Sequence, residues 1–425
     1  MTHILICTVG GSHQPIVSAI NNQRPDYVIF ICTDKDPATG RPGSSVQITG
    51  TGNCIKLQQN DEKPTLPNIP TQTGLGLTEG QYQICITESD DLDRIYLACT
   101  NAINTALSRF PDAKLIADYT GGTKSMSAGL VMAALEHQDI ELQLITGSRG
   151  DLIKVNDGSE YAACANIEQI RFERLIAPYR QAWSRYAYSE AEAGLKLISP
   201  PHDTELRGKY TRFRELSRAF AEWDDFNHEG AQKILLNYSK QLGPLALQLQ
   251  SIALLNSKKP ELREAAKLFD LYLNAKRRAA QGRYDDAIAR AYRLIEWTAQ
   301  WLLKVHCGIE TANIDEAAIP EGMTLKPNRY GQLQAGLFDA WQLVKHKTSG
   351  AAAQFIKVEE NRLLNHLKIR NGSILAHGFE PVKAGDWQII QTWLEQQFIP
   401  MLLAETAKTG IKELPVQLPL GFELR

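Results

Sequence analysis

No run of apolar residues in this chain approaches the roughly 18–20 needed to cross a bilayer. The N-terminus Met1-Thr2-His3 has no Lys or Arg, and its apolar stretch is cut short by Gly10-Gly11-Ser12-His13. We therefore expect neither a membrane span nor a secretory signal. Cys-x-x-Cys is also missing. The seven cysteines, at 7, 32, 54, 85, 99, 164 and 307, are odd in number and lie mostly in apolar runs. That pattern predicts buried thiols in a reducing cytoplasm and excludes a disulfide framework or a zinc site. Neither charge dominates: 46 Lys+Arg face 48 Asp+Glu, for a formal net charge of −2. A globally basic nucleic-acid coat is excluded, though a local basic patch is not. No Gly-x-Gly-x-x-Gly follows the first apolar run, which speaks against a dinucleotide enzyme. The Walker A spacing is absent too, as is any His/Asp/Glu cluster at metal-ligand spacing, so no metal is expected.

What is present is a chain of 425 residues, 43% hydrophobic and 22% charged, enough for two to four domains at about 100–200 residues each. Short β-branched runs at Ile4–Val9, Tyr27–Cys32, Gln81–Thr87, Lys114–Tyr119 and Glu141–Thr146 read as buried strands. Helical patterns at Pro15–Asn22, Asp91–Phe110 and Lys124–His137 alternate with them. The alternation predicts a Rossmann-like α/β layer with a parallel sheet covered on both faces. Further strands are expected at Asp151–Val155 and Tyr161–Ile167, and Asp34–Gly80 reads as a long irregular excursion. Beyond about residue 170 the pattern is helical. Its clearest helix, Asp285–Val305, carries the stripe Ile288, Ala291, Leu294, Ile295, Thr298, Leu302. The fold class is thus α/β plus all-α, and Pro415 and Pro419 mark a tail.

The sequence Asp118-Tyr119-Thr120-Gly121-Gly122-Thr123-Lys124 ends one strand and opens a helix. Two glycines permit close backbone approach, the helix presents unpaired N–H groups, and Lys124 adds charge. The physics suits a phosphate or a nucleotide edge; a tight turn with no ligand is the alternative. A second Gly-Gly turn, Gly10-Gly11-Ser12, follows the first strand, and open α/β sheets bind ligands at strand C-termini.

This Thr-Gly-Gly-Thr-Lys core, after a first strand ending in a Gly/Ser turn, resembles the CARF domains of type III CRISPR systems. The resemblance covers about residues 1–170 and implies a dimer that binds cyclic oligoadenylate at the strand C-termini. It would put Thr120, Gly121, Gly122, Thr123 and Lys124 on the floor of the ring site and Gly10, Gly11 and Ser12 on its rim. Thr146, Gly147 and Arg149 are weaker candidates.

Late in the helical region, Arg370-Asn371 is followed by His377, the one histidine of nine with an Arg five to seven residues upstream. On a continuous helix the two side chains would point the same way. His can move protons near neutrality, and the Arg fork can stabilise a pentacovalent phosphorane. A surface Arg and a capping His is the plain alternative. Arg293 and Glu296, three apart, read foremost as a structural ion pair. Lys276, Arg277, Arg278, Arg283, Arg290 and Arg293 form either an RNA guide or a solvated helix face.

The segment Arg370–Gly378 resembles the active segment of HEPN ribonucleases, and the upstream helix Tyr284–Glu296 resembles that of CARF–HEPN effectors. The resemblance implies three parts: a CARF-like sensing domain (1–170), a helical connecting region (171–265) and a HEPN-like ribonuclease domain (266–425). Arg370, Asn371 and His377 would be catalytic. The activity implied is cyclic-oligoadenylate-activated, metal-independent endonucleolytic cleavage of single-stranded RNA. Cyclic tetra-adenylate is slightly favoured, and the chain would be a cytoplasmic homodimer. The alternative is a sensor or adaptor, or a ring nuclease whose activity lies in the CARF domain.

Overall fold

The computed structural model describes residues 2–52, 66–75, 80–147, 161–239, 245–375 and 378–421. The chain divides into two compact units, Met1–Glu173 and Arg174–Arg425.

The first unit is a six-stranded sheet: β1 (His3–Thr8), β2 (Tyr27–Thr33), β3 (Tyr82–Thr87), β4 (Lys114–Asp118), β5 (Glu141–Thr146) and β6 (Tyr161–Cys164). The order is β3-β2-β1-β4-β5-β6. The five strands expected from periodicity all form, and they pair in parallel. The sheet is not wholly parallel, however, because β6 runs antiparallel to β5. The expected strand Asp151–Val155 and the weaker site candidate Arg149 lie outside the described residues.

Alternation along β1 sends Ile4 and Ile6 to one face and Leu5 and Cys7 to the other. Both faces are covered, so β1 reads as a continuous apolar run. Helices α1 (Gln14–Gln23), α2 (Val46–Thr49) and α3 (Ile69–Thr73) supply Ile16, Ile20, Ile48 and Ile69 to one core. On the other face, α4 (Leu92–Arg109) and α5 (Lys124–Leu135) supply Ile95, Cys99, Met126 and Leu130. The excursion after β2 thus contains two short helices. Burial holds for Cys7, Cys32 and Cys99. Cys164 is exposed on the edge strand and Cys85 and Cys307 are half-buried, which corrects the reading of buried thiols throughout.

The division between units falls inside α6 (Glu168–Trp183). The second unit continues with α7 (Tyr188–Leu195), α8 (Thr204–Asp224), α9 (His228–Asn237), α10 (Ala246–Leu255), α11 (Pro260–Ala280) and α12 (Tyr284–Cys307). Then come α13 (Leu337–Lys347), α14 (Ala351–Gly372), α15 (Ala384–Trp393) and α16 (Ile399–Thr406). All six stripe residues of α12 are buried, and Gly282 at φ +74° turns α11 into it. A π turn at Leu394–Phe398 joins α15 to α16 just before Pro400, which has no N–H to continue an α ladder. The segment after α16 is no loose tail: the Tyr188 hydroxyl donates to the Pro419 carbonyl at 2.7 Å, and Leu418 is buried. No helix among the described residues is long and apolar enough to cross a membrane.

Candidate functional site

In the first unit, strand order reverses between the neighbours β1 and β4, with β2 and β3 on one side and β5 and β6 on the other. The loops leaving β1 and β4 are the two Gly-Gly turns, so both sit at the switch point where open α/β sheets bind ligands. They interlock. The Thr8 hydroxyl donates to the Gly121 carbonyl at 2.6 Å, and Ser127 donates to the same oxygen at 3.0 Å. A Cβ on Gly10 would meet the Gly122 nitrogen at 2.7 Å, and one on Gly122 (φ +83°) would meet the Thr8 Cβ at 2.9 Å. These glycines are needed for loop-on-loop packing whether or not a ligand is bound.

The hydroxyls in this loop also have internal partners. Thr120 Oγ1 accepts the Ile145 N–H at 2.7 Å, and the Thr120 N–H donates to Asp118 at 2.9 Å. Thr123 caps α5 by accepting from the Met126 N–H at 3.1 Å, and its hydroxyl donates to the Ser89 carbonyl. Asp118 is buried, which pushes its carboxyl above the ordinary aspartate range despite hydrogen bonds from Thr120 and Gln143. Gly11, Ser12 and Lys124 are exposed. Lys124 has no ion pair or side-chain hydrogen bond among the described residues. Thr146 and Gly147 are half-buried at the end of β5.

Beside this loop a cleft of about 590 Å3 opens at the ends of β2 and β3, lined by Lys35, Arg41, Glu88, Ser89 and Arg94 among others. Arg94 is tied to Glu88 at 3.1 Å and Asp91 at 3.4 Å. These residues escape motif reasoning because they come from separate segments, the loop after β2, the loop after β3 and the first turn of α4, which only the sheet order assembles.

In the second unit, α14 ends at Gly372, and Ser373 is extended and buried. The helix that carries Arg370 therefore stops at Gly372. The chain doubles back: the Gly378 N–H donates to the Ser373 carbonyl at 3.2 Å, and the Glu380 N–H to the Gly372 carbonyl at 3.2 Å. A Cβ on Gly378 would overlap the Gly372 carbonyl, so the closure requires glycine. His377 lies outside the described residues. Arg370 is half-buried; its guanidinium carbon stands 4.4 Å from the Tyr292 ring centroid, and its Nη1 donates to Asn371 Oδ1 at 3.2 Å. One helical turn earlier, His366 packs against Trp393 with centroids 4.7 Å apart. Burial lowers its pKa, and its Nδ1 is buried without a hydrogen-bond partner among the described residues.

The six basic residues between 276 and 293 form neither a free phosphate track nor a plain solvated face. Arg277 is fully buried and bound to Asp224 at 2.7 Å and Asp270 at 3.2 Å. Arg278 is buried on Asp224 at 2.8 Å. Arg283 and Arg290 pair with Asp286, Lys276 with Glu395, and Arg293 with Glu296 at 2.8 Å. The expected Arg293–Glu296 pair forms. Asp224 escapes local spacing because α8 carries it some 50 residues away in sequence, whereas Asp270 lies on α11 itself, two turns before Arg277. Among the described residues no group of three or more His, Cys, Asp or Glu is placed to hold a metal ion.

Comparison with known proteins bears on this second unit first. Residues 259–399 match the family model of the Csm6 HEPN domain. That Csm6 match runs from the start of α11 to the start of α16 and includes Arg370, Asn371 and His377. Csm6 of Enterococcus italicus, bound to cyclic hexa-2'-fluoro-hexa-dAMP, shares the fold at a TM-score of 0.57 and 13% identity. The alignment covers 96% of this chain and 95% of that one. Can2 from Sulfobacillus thermosulfidooxidans in complex with cyclic tetra-adenylate aligns at 14% identity over 49% of this chain and 54% of that chain. Its TM-score is 0.23, too low to carry an argument. No curated protein matches the chain. The resemblance to CARF–HEPN effectors, first drawn from two short motifs, now rests on a domain match and a shared fold along nearly the whole chain.

Proposed function

We propose that this chain is a cyclic-oligoadenylate-activated endonuclease for single-stranded RNA in type III CRISPR antiviral defence. The observation that carries the reading is the Csm6 HEPN match over residues 259–399, within which Arg370 is held over Tyr292 at the end of α14. RNA brings its own nucleophile, the 2'-OH. In our reading His377 moves the proton and Arg370 stabilises charge on the phosphorane, with Asn371 orienting the guanidinium. Attack by the 2'-OH expels the 5' oxygen, giving a 2',3'-cyclic phosphate and a 5'-hydroxyl, and the chemistry has no need of a metal.

The sensor is the switch point of the first unit. Lys124, Ser12 and Gly11 face solvent there and would meet the ring phosphates. Gly10, Thr120, Gly121, Gly122 and Thr123 would keep the loops in register for it. Two copies would share one ring across a two-fold axis and bring two Arg370/His377 pairs together, so ring binding shifts the population toward the cutting arrangement. The setting is the cytoplasm. Cyclic tetra-adenylate is our first choice of activator on the CARF resemblance alone, and the hexa-adenylate is its direct competitor.

End-group analysis tests the chemistry. Cleaved RNA should carry a 2',3'-cyclic phosphate and a 5'-hydroxyl, and a 2'-deoxy nucleotide at the cut should block the reaction. Equal cleavage of the deoxy substrate would overturn the assignment.

A further inference from the structure

We propose that a pocket at the start of α12 holds a nucleobase of the RNA strand beside the cleaved phosphate and so makes cutting selective for neighbouring sequence. This rests on the RNA-cleaving reading above. The pocket, about 580 Å3, lies where α11, α15 and the segment 414–417 meet, and Tyr186, Tyr284 and Trp387 contribute to its walls. Tyr186 and Tyr284 are partly exposed and offer the faces on which unpaired bases stack, while Trp387 is buried, 4% exposed.

Its polar chemistry selects a neutral, flat ligand. The lysine at its wall, Lys276, is tied to Glu395 at 2.8 Å, so its charge is already balanced. The amides of Gln388 and Gln391 also line the wall. Gln391 spends one N–H on Glu395 and keeps its carbonyl, while the exposed Gln388 amide has no hydrogen-bond partner among the described residues. A carboxamide offers a donor and an acceptor side by side, the pair a base edge requires.

Two further observations favour this occupant. Tyr186 holds a left-handed backbone, φ +61°, a costly state for an aromatic residue. The turn is locked by the Tyr186 N–H on the Trp183 carbonyl and by Gln281 donating to the Tyr186 carbonyl at 3.0 Å. The pocket also lies on the same helix as the ring under Arg370, two turns away. Asp285, next to Tyr284, accepts the Val382 N–H at 3.3 Å, and two residues later Ala384 lines the pocket. Asp285 shares a face of α12 with Tyr292, the ring under Arg370, roughly 10 Å along the axis. A single strand with a phosphate at Arg370 reaches the pocket within a few nucleotides.

The test uses the full chain with its cyclic oligoadenylate present. The Arg370→Ala protein is photo-crosslinked to a short single-stranded RNA containing 4-thiouridine, and the linked peptides are mapped. We expect links to Tyr186, Tyr284 or Trp387. Links elsewhere in the second unit that spare all three would overturn the pocket and leave the nuclease reading standing; no link anywhere would sink both. In the active protein, Tyr284→Ala should raise KM about tenfold and flatten the base pattern around cut sites, and Tyr284→Trp should retain both. An unchanged KM and cut pattern in Tyr284→Ala, with RNA still cleaved, rejects the pocket alone.

Discussion

The guanidinium of Arg370 lies over the ring of Tyr292, 4.4 Å from its centroid, and α14 ends two residues later at Gly372. The helix end and the α12 face together fix Arg370, which with Asn371 makes up the catalytic candidates among the described residues. Tyr292 is a positioning residue in this arrangement, since it reaches the reaction only through Arg370.

Removing the two partners should therefore have different effects. Arg370→Ala should lower ring-stimulated RNA cleavage by about 10²–10³, the usual cost of a lost charge stabiliser. Tyr292→Ala should lower it only a few-fold, in line with a cation–π contact worth about 0.5–1 kcal/mol, and Tyr292→Phe should recover most of that. Initial rates at saturating activator separate the three. Equal losses in the two alanine variants would contradict the division of roles.

At the sensor end, Lys124 is the informative position. It is exposed, so Lys124→Glu should leave the fold intact and abolish cyclic oligoadenylate binding in calorimetry. A bulky residue at Gly122 is a poor probe, because its Cβ would already strike Thr8 and distort the loop without any ligand. Thr123→Ala should cost about 1 kcal/mol of stability through the lost α5 cap.

The buried charges around Arg277 make a stability prediction. Burial alone would push Asp270 up, but Arg277 and the hydrogen bond from His228 outweigh it and hold the carboxyl below the ordinary value of 3.8. A lowered folded pKa contributes stability that is present above the unfolded value and is lost as pH falls through the folded one. Asp270→Ala should destabilise the second unit by about 3–5 kcal/mol at pH 7, because Arg277 is left buried with one partner fewer. Denaturant titrations at pH 7 and below pH 3.8 should show the difference between wild type and variant shrinking in acid.

Asp118 predicts the opposite slope. Burial raises its folded pKa above 3.8, so ionisation costs stability as pH climbs from 3.8 to the folded value, and the cost is constant above it. Asp118→Asn keeps an acceptor for the Thr120 N–H. Relative to wild type it should gain stability on going from pH 3 to pH 7, as read from thermal melts at the two pH values.

The sheet was legible in the sequence because its strands are covered on both faces: Ile4–Val9 and Tyr27–Cys32 are apolar without alternation, and turn residues bound them. The α12 stripe was legible for the corresponding helical reason. The reversed edge strand β6 was not, since the short apolar run Tyr161–Cys164 carries nothing about direction. Nor was the fate of the basic cluster. Lys276 to Arg293 looked free because local spacing cannot reveal Asp224 and Glu395, which only tertiary packing brings alongside. The Gly-Gly turns were correctly located, but the reason for their glycines is contact between the two loops, which the sequence of either alone does not carry. Helical periodicity carries this helix to about residue 369, and it ends at Gly372, so the shared face that a continuous helix would give Arg370 and His377 does not apply.

The most direct measurement is cleavage of single-stranded RNA by the purified full chain in EDTA, alone and with each cyclic oligoadenylate in turn. The account predicts little cutting without a ring, strong stimulation by one ring size, and loss of that stimulation in Lys124→Glu and of nearly all cutting in Arg370→Ala and His377→Ala. Cutting that no ring stimulates, or that EDTA abolishes, would contradict it.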